Sequence, residues 1–184
     1  MSENQAIQEF YKDYDLIGFS IVQDLVQELE GQNHKASGNL IRSIIATTQQ
    51  TLDGVESSIS NLSYGKTLND GIPAGKIPKY GAEYGNLLFS LVKWIRLKKL
   101  AFGADKAYRF AKNIINKAQT TGFPTPGSYK FSRNGRRKGW IDYVVATYQI
   151  QWENEVENIS TDLVVNCLNA KIDAIVRQFS NELG

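Results

Sequence analysis

The sequence predicts an α+β protein: a small antiparallel β-hairpin packed against an N-terminal helix, two middle helices and long C-terminal helices, with two long irregular loops between them. Three observations carry that prediction. Strand-like runs between Ile45 and Leu62 flank an Asp53-Gly54 pair, and Asp-Gly is a strong short-range signal for a two-residue type I′ hairpin turn. Apolar residues recur at three- and four-residue steps near both ends of the chain, the period of a helix with one buried stripe. Glycine and proline concentrate in two stretches, 65–85 and 121–139, where neither period holds.

Within a single domain spanning 1–184, residues 1–35 carry the first helix and its exit. Ile7, Phe10 or Tyr11, Tyr14, Ile17, Ile21, Leu25 and Leu29 form its stripe, Ser2 or Asn4 can cap it, and Gly31 is a plausible stop. His34, the only histidine, falls in the polar linker Gln32 to Lys35 and reads as solvated. Residues 36–64 form a short turn and the hairpin, with Leu52 expected opposite Val55, Thr48 opposite Ile59 and Ala46 opposite Asn61. Those residues share a mostly apolar face. Thr47, Gln49, Thr51, Glu56, Ser58 and Ser60 share the polar one.

The stretch 65–85 reads as a long loop. Its Gly75-Lys76 is not a phosphate loop, because position 70 is Asp and no Ser or Thr follows the lysine. Within 86–120, Asn86 can cap a helix from about 87 to 99 with Leu87, Leu88, Leu91, Trp94 and Ile95 inward. Gly103 breaks the chain, and a helix from about 104 to 119 turns Ala107, Tyr108, Ala111, Ile114, Ile115 and Ala118 to one side before Gly122 ends it. Residues 121–139 form a basic arm, expected to be extended and mobile, in which Tyr129 and Phe131 alternate with Lys130, Arg133, Arg136, Arg137 and Lys138. Such an arm can contact phosphate backbone, meet an acidic patch on a neighbouring subunit, or stay a solvated loop. From Trp140 the helical period returns through Phe179, and a break between Ile150 and Asn158 is expected, with Asn158 or Ser160 capping a second piece. Glu153, Glu155 and Glu157 cluster at that break as helix start, charge relay or partner for a basic arm.

Composition narrows the function classes. With 42% hydrophobic and 22% charged residues the chain is of ordinary globular make-up, and its net charge of +2 does not by itself point to nucleic acid. Bases gather between Lys93 and Lys138, acids at the N-terminus and after Trp152. The single cysteine, Cys167, excludes an intrachain disulfide framework and reads as buried core. No apolar run reaches the roughly 18 residues of a membrane span. The first ten residues lack the layout of a signal peptide, so a cytosolic place of synthesis and assembly, with no membrane partner, is expected. One histidine and one cysteine in unrelated segments make no nucleophile system or zinc site, and no nucleophile elbow or dinucleotide fingerprint occurs. Glu153 and Glu157 at helical spacing form a weak cation pair at most. The expectation is a non-enzyme with no catalytic residues, metal or cofactor.

The order of segments adds a resemblance. Ser37-Gly38-Asn39-Leu40-Ile41-Arg42-Ser43-Ile44 is similar to the Thr-Gly-x-Leu-x-x-Ser-Ile signature that opens the strands of tailed-phage tail-completion proteins, also called head–tail joining or neck proteins. Tyr80-Gly81-Ala82-Glu83-Tyr84-Gly85 looks like a shortened form of that family's Tyr-Ala-x-Tyr-x-x-x-Gly segment. Leu91 to Lys98 matches its Leu-x-x-Trp-hydrophobic-basic helix, and Asp105 to Lys117 its Ala-rich helix. Ser37 stands where the family has Thr, the Gly-Thr or Gly-Arg ending after the tyrosines is missing, and the C-terminal region is longer than usual.

The resemblance implies a structural virion protein of a bacteriophage, assembled in the host cytoplasm. Copies would form a closed ring at the head–tail junction, six- or twelve-fold, as a neck ring or tail terminator. That ring would bind the portal-side connector and tail proteins and surround DNA without reading its sequence. Interface residues would be Tyr80, Tyr84, Lys130, Arg133, Arg136, Arg137, Lys138, Glu153, Glu155 and Glu157, the five bases also facing the DNA channel. The competing expectation from another class is a small non-sequence-specific DNA-binding protein that uses the 130–138 arm.

Overall fold

Helix α1 spans Glu3–Gly31, and the residues expected on its stripe are buried or half-buried along its length. Ser2 opens it through a reciprocal capping box, Gln5 N–H donating to Ser2 Oγ (3.3 Å) and Ser2 N–H to Gln5 Oε1 (2.9 Å). The structure, a computed structural model, describes residues 2–34, 38–51 and 54–182, with 178–182 as backbone alone. The order is α1, α2 (Asn39–Ser43), β1 (Ile45–Gln50), β2 (Val55–Ser60), α3 (Tyr64–Asp70), α4 (Gly81–Leu97), α5 (Ala104–Thr121) and α6 (Trp140–Glu182). Short 3-10 turns lie at Ala74–Lys76 and Pro126–Phe131. The fold is α+β, mainly helical, with one two-stranded antiparallel sheet among the described residues. Two compact units divide the chain: Met1–Asp24, Ile44–Ser60 and Val144–Gly184 form one, and Leu25–Ser43 with Asn61–Tyr143 forms the other.

In the first unit the hairpin keeps the expected faces but not the expected register. Ala46 pairs with Ile59, Thr48 with Ser57 and Gln50 with Val55. Thr51 N–H donates to the Gly54 carbonyl (2.8 Å), so Thr51 and Gly54 oppose each other. A shift of two residues leaves every side chain on its predicted side, because the pleat has period two. Leu52 and Asp53, on which the predicted turn rests, lie outside the described residues, as does Ser37. The half-buried face meets α1 at Gly18, where a Cβ would stand 2.9 Å from Ser57 Oγ and 3.2 Å from Ala46 Cβ. Thr48 Oγ1 adds a hydrogen bond to Asp15 Oδ1 (3.0 Å).

Helix α6 is unbroken over 43 residues, which corrects the expected interruption. Neither glycine nor proline occurs between Trp140 and Glu182. The proposed cap Ser160 turns its hydroxyl back to the Val156 carbonyl (2.7 Å), as Thr161 does to Glu157 (2.9 Å). Gln149 and Gln151 donate to Glu153 and Glu155 one turn on (2.6 and 2.9 Å), so the acids support the helix interior rather than start a new one.

In the second unit α4 and α5 pack through small residues. Ala107, Ala111 and Ala118, fully buried on α5, leave room for Leu88, Ile95 and Ile77. Tyr108, placed on this side by its spacing, is instead 47% exposed. α4 starts a turn and a half earlier than expected, Tyr84 joining the apolar stripe, so Asn86 lies inside the helix and caps nothing. The predicted loop 65–85 likewise contains α3, because buried contacts at both its ends outweigh its weak local pattern. Trp140 Nε1 donates to the Gly65 carbonyl (3.1 Å). Asn69 Oδ1 accepts the Ile141 N–H (2.8 Å), capping α6 from a distant segment.

An antiparallel bridge, Ile72 to Phe123, ties that stretch to the exit of α5 through two hydrogen bonds of 2.9 and 2.7 Å. Gly71 and Gly122 flank it at φ 75° and 78°, and a Cβ on either would run into a backbone carbonyl across the bridge, Phe123 O or Ile72 O. Gly71→Ala and Gly122→Ala should each cost about 2 kcal/mol or more, lowering Tm by roughly 5 °C or more. Gly75→Ala, with open space at its Cβ, should be neutral in the same thermal melts.

Candidate functional site

The basic segment and the C-terminal end of α1 form a dense polar cluster in the second unit. A helix leaves its last carbonyls without intrahelical donors. Here Asn33 takes a left-handed conformation (φ 58°), with His34 N–H donating to Leu29 O (3.0 Å) and Asn33 N–H to Glu30 O (3.0 Å). The helix ends at Gly31, the expected stop, and the chain turns away at Asn33. The remaining carbonyls are met from elsewhere. Arg133 N–H donates to Gly31 O (2.9 Å), Arg137 Nη1 to Gln32 O, and Lys98 Nζ to Asn33 O (3.3 Å). Cations belong here, since the helix dipole leaves this end negative.

Glu28, buried, receives Arg136 through both carboxylate oxygens (2.9 Å each), with Gln32 Nε2 (2.8 Å) and Asn134 Nδ2 (3.0 Å) adding further bonds. Burial pushes its pKa up, but Arg136 and the two amides outweigh burial and the net shift is downward. The Arg136 guanidinium also lies 3.5 Å from the centroid of the Tyr143 ring. Arg137 is only 8% exposed and its Nε has no hydrogen-bond partner. Burial lowers its pKa. Lys98 is lowered by burial and then by the charges of Arg137 and Arg133. His34 sits within this cluster, not in a solvated linker. Its Nε2 lies 3.0 Å from Gln32 Oε1 and 3.2 Å from Arg137 O, and both are acceptors, so Nε2 carries the proton of a neutral ring. Burial, then the Arg137 charge, lowers its pKa from 6.5 to about 4.

The expected mobile, extended arm is therefore a pinned segment. Arg136 and Arg137 are engaged inside the fold, and Lys130, Arg133 and Lys138 remain exposed. Phe131 is 40% exposed beside them, with Lys130 Nζ 5.1 Å from its ring centroid. Tyr84 is half-buried against the α4–α5 core, while Tyr80 is 85% exposed. A separate groove of about 650 Å³ beside the bridge is lined by Ile72, Phe123, Pro124, Tyr129, Asp70 and Lys138, among others.

The acidic residues belong to the first unit. Glu153 and Glu157 are exposed, one turn apart, on the rim of a groove of about 400 Å³ floored by Ile17, Ile21, Trp152 and Val156. Glu155 is half-buried on another face, where it adds to the burial that raises the Asp24 pKa. Among the described residues, no three His, Cys, Asp or Glu side chains gather as metal ligands.

Sequence reasoning missed the outer face of α6. Val164, Val165, Leu168, Ile172, Ile175 and Val176 are 48–57% exposed, and Cys167, read as buried core, is half-buried. The available signal was that apolar residues circle this helix instead of keeping to one side. Compared with protein-family models, with curated proteins and with solved structures, the chain matches none.

The His34 shift has a definite sign. Below its ordinary pKa of 6.5 the unfolded chain gains a proton that the folded chain refuses until about pH 4. Stability conferred by the neutral ring is present above pH 6.5 and is lost as pH falls towards 4, by about 1.4 kcal/mol per pH unit at most. Glu28, whose pKa is lowered, adds a further loss only below 4.5. Urea midpoints measured at pH 7.5 and 5 should fall for the native chain, and His34→Gln should flatten that dependence.

Proposed function

We propose that this chain is a structural virion protein of a tailed phage, one subunit of a closed ring at the head–tail junction. In this reading the ring, six- or twelve-fold, binds the portal-side connector on one side and tail proteins on the other, and DNA passes through without sequence readout. The kind of assembly comes from the resemblance of the 37–44, 80–85 and 91–98 segments to head–tail joining proteins. The observation that carries a role in assembly is the outer face of α6.

At 1.5 Å rise per residue α6 is roughly 65 Å long. α1 lies antiparallel along it, Glu3 reaching Lys171 (3.8 Å) and Ile21 sharing a groove with Trp152. At about 100° per residue, the half-buried Ile159, Leu163, Cys167 and Ala170 fall on one side of the helix. The six exposed aliphatic residues fall on the opposite side. Covering six half-exposed aliphatics is worth roughly 1 kcal/mol each. Association costs about 4–15 kcal/mol in lost freedom, so this face contributes to an assembly that needs a second contact.

Sedimentation velocity should show a closed oligomer of fixed size, formed by the chain alone or with its connector. Leu168→Asp with Ile172→Asp should weaken it at least tenfold without lowering Tm. A monomer at every concentration, with virion partners present, would refute the reading.

A further inference from the structure

We propose that the groove over Ile17, Ile21 and Trp152, rimmed by Glu153 and Glu157, receives the Lys130–Arg133 segment of a second copy, with Phe131 as the inserted side chain. This contact rests on the ring-subunit reading and names the surfaces that meet.

Two features of the chain fit each other. The segment presents a phenyl ring to solvent, flanked by two exposed cations, Lys130 and Arg133. Its backbone is fixed: Asn33 Nδ2 donates to Phe131 O (2.9 Å), Arg133 N–H to Gly31 O (2.9 Å) and Ser132 N–H to Tyr129 O (3.0 Å). Little ordering entropy is then lost when the ring is covered, so more of its burial appears as affinity. The groove offers the complement, an apolar floor with room for an aromatic side chain and two exposed carboxylates one helical turn apart on its rim. An aromatic anchor entering an apolar pocket inside a ring of opposite charge is how interfaces concentrate their energy.

The two surfaces are different patches of one chain, so their contact is heterologous. Repeated head to tail, it propagates from copy to copy and closes if the rotation divides a full turn. It also supplies the second contact that the aliphatic face of α6 requires.

The test is a reversal of charge on each surface. K130E/R133E gives a chain acidic on both surfaces, and E153K/E157K a chain basic on both. Each alone should sediment as monomer. Mixed in equal amounts they should co-assemble in alternation, and the fourfold variant should assemble by itself. F131A should weaken the native oligomer about tenfold, and circular-dichroism melts should show all variants folded, since the substituted side chains are exposed. A native oligomer that either variant leaves intact overturns this contact while sparing the ring reading. Loss of retention on a DNA column by K130E/R133E, with its oligomer intact, does the same and assigns the cations to nucleic acid. A native chain that stays monomeric at every concentration, with virion partners present, overturns both.

Discussion

The carbonyls that α1 leaves unpaired at its end are the constraint around which the second unit is arranged. A 29-residue helix presents a concentrated patch of acceptors and partial negative charge where it stops. Asn33 and His34 fold back to satisfy two of these groups and Arg133 reaches Gly31, while Arg137 and Lys98 bond the carbonyls of the turn that follows. Glu28, one turn before the end, then binds Arg136 from the same segment. Glu28 is buried, so losing Arg136 would leave its charge uncompensated, which holds the segment where it is.

That arrangement changes what the basic stretch can do. Five cations in a glycine-rich loop suggest a polyelectrolyte arm, but two of the five are occupied in the fold. The remaining three are held on fixed backbone beside an exposed aromatic ring. A flexible cationic tail suits a phosphate backbone of any shape, whereas a rigid cationic knob suits a shaped partner. The same logic applies to the acids. Glu153 and Glu157 stand over an apolar groove, and Glu155, their neighbour in sequence, faces elsewhere because successive helical residues diverge by about 100°.

Much of this was legible in the residues. The stripe of α1, the two faces of the hairpin, the alanine-lined α5 and its stop at Gly122 all follow from period and backbone preference. α3 was not legible, because what holds it is Asn69 and Gly65 bonding to residues some 70 positions later. The buried state of Arg137 and the neutral state of His34 were hidden for the same reason. The continuity of α6 was visible in the absence of glycine and proline, and was lost to an expectation about helix length.

The amino-acid sequence alone determined the α+β class, the identity of most helices and which side of each strand is apolar, since those depend on near neighbours along the chain. Only the tertiary structure decided which charges are consumed internally, which apolar side chains are left uncovered, and where a groove opens. Burial and pairing are properties of residues brought together from distant positions, and a local pattern cannot record which of two similar side chains finds a partner.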